Sequence, residues 1–78
     1  METAKLINIE ITKNEAIVLF DFLARFNEIE ENPVFVDQSE QRILWNLECI
    51  LETKIEESFG SDYEKLVKQA REIIRDKE

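Results

Sequence analysis

Glu48, Glu52 and Glu56 repeat at four-residue spacing, and on a helix that spacing stacks them on one face. Stacked carboxylates can share a divalent metal, the plainest chemistry this sequence could offer. No acid from another element completes the oxygen shell such an ion takes, so no metal site is assigned. The stripe has two other readings. It can be neutralised by Lys54 and by Lys65 or Lys68 from the following helix, or it can be a surface that meets a basic partner. Like charges at this spacing cost a helix roughly 0.2–0.5 kcal/mol per pair, so something must offset them. Trp45 lies on the Glu48/Glu52 side of the same helix, off its main apolar seam. It is either a core residue beneath the 32–37 loop or an exposed aromatic anchor rimmed by acids, as at an interface hot spot. Trp45, Glu48, Glu52 and Glu56 are thus the candidate partner-binding residues.

Other chemistries lack their parts. The chain has no histidine, the commonest general base and metal ligand. Its single glycine excludes a phosphate-cradling loop. Cys49 has no histidine to activate it and reads as a small, partly buried residue. No catalytic residue and no cofactor is assigned, and the chain reads as non-enzymatic.

Composition narrows the partners. Net charge is −8, from 18 acidic and 10 basic residues. Through Glu64 there are 15 acids and 5 bases, whereas from Lys65 onward there are 5 bases and 3 acids. An acidic body repels phosphate backbones, so direct nucleic-acid binding is not expected. The basic ridge of Lys68, Arg71 and Arg75 reads as a solvated face. One cysteine builds no disulfide framework. The start, METAKLINIE, lacks the apolar run of a signal peptide, and no stretch approaches the ~20 apolar residues of a membrane helix. These features point to the cytoplasm.

The elements that must position these residues are organised around Thr12–Glu31. Thr12 and Glu15 have capping-box spacing. Ala16, Ile17, Leu19, Phe20, Phe22, Leu23, Ala24 and Phe26 cover more than half of the helix circumference, so this helix must be covered on two sides. The polar strip left over is Asn14, Asp21, Arg25 and Glu28. Before it, Ile7, Ile9 and Ile11 alternate with Asn8 and Glu10, which predicts a strand over Lys5–Ile11. Pro33 ends the helix, and Val34–Val36 is a candidate second strand. Asp37 and Glu40 cap a second helix over 38–58, with Ile43, Leu44, Leu47, Ile50, Leu51 and Ile55 in an arc of about 140°. Gly60 stops it. Ser61 and Glu64 form a third capping box, opening a helix over 62–76.

The expectation is one domain, residues 1–78, mainly α within an α+β class, in the order β-α-β-α-α. The second and third helices would form a hairpin on one flank of the first. The strand would cover the other flank, near Val18, Phe22 and Ile29. A two-stranded sheet leaves an edge unpaired, which favours a homodimer.

The segments NEAIVLFDFLARF (14–26) and DQSEQRILWNLECILE (37–52) together resemble a group of small, acidic, uncharacterised bacterial proteins. Those proteins join such a helix to a DQxE…LWxLE segment and a basic last helix. The resemblance implies a fold and no activity. The functional expectation is a protein-binding module, of immunity, antitoxin or inhibitor type, that sets its acidic face against a basic partner. The alternatives are a structural homo-oligomer and a DNA-mimic inhibitor.

Overall fold

A computed structural model describes residues 5–55, 60 and 62–76. Three helices follow one another: α1 (Lys13–Phe26), α2 (Gln38–Lys54) and α3 (Tyr63–Arg75). The N-terminal box of α1 forms as its spacing predicts. Thr12 Oγ1 accepts from the Glu15 backbone N–H at 3.1 Å, and Glu15 Oε1 accepts from the Thr12 N–H at 2.8 Å. At α2 the motif is offset by one residue. Asp37 Oδ1 accepts from the Ser39 N–H at 2.8 Å, while Glu40 reaches back past the cap to the Val36 N–H, also at 2.8 Å. Both variants satisfy two otherwise free donors. At α3 the N-cap is Asp62, without a side-chain cap bond; Ser61, the expected cap, lies outside the described residues.

α1 stops at Asn27 rather than running to residue 31. The residues that follow are Glu28, Glu30 and Glu31, and carboxylates at the negative end of the helix dipole oppose further turns. The chain instead leaves through Glu28 N–H to Arg25 O (3.3 Å) and Ile29 N–H to Phe26 O (3.1 Å). Glu31 takes a left-handed φ of 52° to reverse direction ahead of Pro33, a conformation costing a non-glycine residue on the order of 1 kcal/mol.

The protein is all-α: no strand forms among the described residues, and the α+β expectation is corrected. Val34–Val36 is folded into turns. The Val34 N–H donates to Asn32 Oδ1 at 3.0 Å, and the Phe35 N–H donates to Asn32 O at 3.3 Å. This Asx-type turn takes up the donors a second strand would have offered. Without that partner, Lys5–Ile11 has no ladder to join and runs as an arm without regular secondary structure. Leu6, Ile7 and Ile9 on it are 86%, 85% and 79% exposed. Phe22 and Ile29, the flank it was expected to cover, stay about half exposed.

α1 is the central element, as its apolar circumference requires, but the hairpin expectation fails. Among the described residues α2 and α3 each pack on α1 and scarcely on each other. The core is Ile17, Phe20 and Leu23 from α1, Leu51 and Ile55 from α2 and its cap, and Val67 and Ala70 from α3. Phe20 meets Tyr63 edge to face, with ring centroids 6.4 Å apart. No described helix is long and apolar enough to cross a membrane.

Truncation should separate core from arm. Phe20→Ala is expected to cost about 3–5 kcal/mol and Leu23→Ala about 2–5. Ile7→Ala, on the arm, should stay within about 0.5 kcal/mol. Urea denaturation of the three variants checks this, and equal effects would overturn the assignment of α1 as the core helix.

Candidate functional site

The acidic stripe separates into unlike parts. Glu48 is partly buried, and its Oε1 accepts from Asn27 Nδ2 at 2.8 Å. The same amide also donates to the Leu44 carbonyl at 3.3 Å. Asn27 is the C-cap of α1, so Glu48 ties α2 to the end of the central helix. Asn27 Oδ1 is buried with no partner among the described residues, which costs on the order of 1–3 kcal/mol. Glu52 is exposed, and Glu56 lies outside the described residues. No base pairs with Glu48 or Glu52 among the described residues, so neutralisation by Lys54, Lys65 or Lys68 does not hold this part of the stripe. A neutral amide offsets the charge crowding at Glu48 instead.

Trp45 is 45% exposed and is not the residue beneath the 32–37 loop. Phe35 fills that place. Its ring stands edge-on to Phe26 at 5.7 Å, Phe26 stacks on Phe22 at 5.4 Å, and Arg25 lies over Phe22 at 5.8 Å. Cys49 is exposed rather than partly buried. No group of three metal-ligating side chains occurs among the described residues.

A second polar cluster joins the polar strip of α1 to α3, and it includes Arg71 of the ridge expected to be solvated. Asp21 Oδ1 accepts from the Tyr63 hydroxyl at 2.9 Å. Asp21 Oδ2 accepts from Arg71 Nη2 at 2.9 Å and from Arg25 Nε at 3.2 Å. Burial pushes the Asp21 carboxyl up, but the bonds from Tyr63, Arg71 and Arg25 outweigh it and hold the group below its ordinary 3.8. Burial, with the bond to Asp21, pushes Tyr63 up to about 12. A firmly ionised carboxylate and a weakened phenol are both poorly matched to proton transfer near neutrality. The cluster docks a helix. Its signal was in the sequence: Asp21 lies one turn from Ile17, and Arg71 follows Ala70 and lies one turn from Val67, so both border buried positions.

A concave surface with a mainly apolar lining lies between α1, α2 and the arm. An open groove of about 980 Å³ is lined by Ile9, Ile11, Leu19, Leu47 and Ile50, among others. A smaller one of about 320 Å³ is lined by Phe26, Val34, Phe35, Ile43 and Leu44. Leu19 and Phe26 are seven residues apart on α1, as are Ile43 and Ile50 on α2, a spacing that keeps one side of a helix. The two grooves therefore lie along one side, or seam, of the antiparallel α1–α2 pair. Ile43 is 64% and Ile50 45% exposed along it.

No protein-family model matches the chain, and no curated protein and no solved structure matches it either.

Two measurements test these assignments. Tyr63 is the only tyrosine, so its tyrosinate absorbance should titrate near 12 and fall back toward 10.0 in Asp21→Asn. A raised phenol stabilises the fold fully below 10.0, and this contribution is lost as pH rises through about 12. The lowered Asp21 carboxyl contributes above 3.8, and its share is lost as pH falls through its depressed value. An ordinary Tyr63 titration would remove the cluster. Separately, Glu48→Ala should destabilise by about 1–2 kcal/mol, whereas Glu52→Ala should change stability by less than about 0.5. Thermal melts of the pair decide whether Glu48 is structural.

Proposed function

We propose that this is a non-catalytic protein-interaction module whose contact surface is the apolar α1–α2 seam together with the N-terminal arm. The observation that carries the reading is the exposure of Ile9, Ile43 and Ile50 along two apolar grooves on one side of the α1–α2 pair, with Leu6 and Ile7 exposed on the adjoining arm. A contiguous exposed apolar patch is unusual on a monomeric protein and marks interaction surfaces. The polar groups support it from the other side. Asp21, Tyr63 and Arg71 are committed to docking α3, and Glu48 is committed to Asn27.

One observation favours a second reading, an inhibitor-type module with an acidic edge against a basic protein. Trp45 is half exposed, and Glu52 on the same side of α2 carries a solvated charge. In that reading the aromatic ring supplies affinity, and the carboxylates steer a basic partner's approach. Mimicry of DNA needs a longer row of carboxylates than Glu52 provides among the described residues.

Salt and substitution separate the two. Affinity capture from native lysate, with untagged copies of the chain counted as a partner, should retain a protein at both low and about 0.5 M salt. Ile50→Asp should reduce that retention at least tenfold. If Trp45→Ala with Glu52→Lys abolishes capture instead, and retention falls steeply with salt, the acidic edge is the site. Capture that ignores both sets of substitutions overturns the seam.

A further inference from the structure

We infer that the occupant of the seam is a second copy of this chain, docked about a two-fold axis with the arm of each protomer over the groove of the other. This rests on the interaction-module reading and specifies its partner. Three observations carry it.

The first is self-complementarity. The chain supplies both halves of a contact, a protruding apolar arm (Leu6, Ile7, Ile9) and an unfilled apolar groove beside it. A two-fold axis uses each half twice and closes the assembly, so neither arm nor groove is left open to a further copy.

The second is charge. The chain carries −8, so two copies repel over most of their surface. The arm and the groove rim instead carry Lys5, Lys13 and Lys54 against Glu10, Glu15 and Glu40, a balanced set. This is the face on which two acidic chains can approach without like-charge repulsion. It also offers no acidic excess to attract a basic partner.

The third is area. A fully exposed Leu or Ile that becomes buried removes on the order of 100 Å². Weighted by the exposures of Leu6, Ile7, Ile9, Ile11, Ile43 and Ile50, one copy contributes about 400 Å² of apolar surface. Apolar atoms make up about 57% of an ordinary interface. Two copies therefore bury roughly 1,400 Å² in all, within the range of specific, stable association.

Sedimentation equilibrium on the full chain tests this, from roughly 1 μM to 1 mM protein. The expected result is a reversible species of twice 9.3 kDa that persists or tightens as salt screens the net charge. Ile9→Asp and Ile50→Asp should each raise the dimer dissociation constant at least tenfold, with helix content by circular dichroism unchanged. Trp45→Ala should leave it within about twofold. Should Ile50→Asp fail to fold, Ile9→Asp decides alone, because it lies on the arm outside every helix. A monomer across the whole range, or a dimer indifferent to both aspartates, overturns the inference. If the chain is monomeric yet captures another protein through Ile50, only the second copy is wrong. If it neither dimerises nor captures through the seam, the interaction-module reading falls with it.

Discussion

The structure depends on one helix having too much apolar surface for one neighbour. Ile17, Phe20 and Leu23 of α1 are buried, and Ala16, Val18 and Leu19 around them are partly so; together they span an arc wider than one neighbouring helix covers. α2 takes one flank and α3 the other, which is why these two scarcely meet. A hairpin of α2 and α3 would have covered one flank twice and left the other to a strand that has no partner. Two-sided packing on α1 also explains why its polar strip is not simply solvated. Once α3 occupies a flank, Asp21 lies at the junction and must be satisfied there. Tyr63 and Arg71 from α3 do so.

That satisfaction is specific in a way apolar packing is not. Val67 and Ala70 would tolerate small slides of α3 along α1. A carboxylate held by a phenol on one oxygen and a guanidinium on the other fixes both position and rotation. Asn27 plays the corresponding part between α1 and α2, less completely, since its Oδ1 goes unpaired among the described residues. Each interface thus combines a few buried aliphatic side chains with one polar registration contact.

The helices were legible because their signals are local. Caps at Thr12 and Asp37, period-3.6 arcs and the break at Pro33 depend on residues within a turn or two of one another. The strands were misread because alternation is a local pattern whose meaning is not local. Ile7, Ile9 and Ile11 become a strand only if another segment offers its backbone, and the Asn32 side chain had already folded Val34–Val36 into turns. The same limit governed the site. The spacing of Glu48, Glu52 and Glu56 put the first two on one side of α2, but it could not show that Asn27, twenty-one residues upstream, would claim Glu48. Arg71 likewise reads as solvated, since nothing local shows that Asp21, fifty residues upstream, claims it. Both errors concern polar residues whose partners lie on another helix.

The exposed seam follows from the same economy. The apolar arc of α2 spans about 140°, wider than the contact a single neighbouring helix provides. Leu51 and Ile55 are buried against the core, Leu44 and Leu47 partly so, and Ile43 and Ile50 on the far edge of the arc have nothing to lean on. With α3 on the opposite flank of α1, no element among the described residues remains to close that edge except the arm. The arm reaches the groove only at Ile9 and Ile11 and leaves Leu6 and Ile7 outside it. An arc this wide is unnecessary for packing on α1 alone: polar residues at 43 and 50 would leave the core intact and reduce the aggregation hazard. Isoleucines at these two positions are what the proposed interaction surface would use.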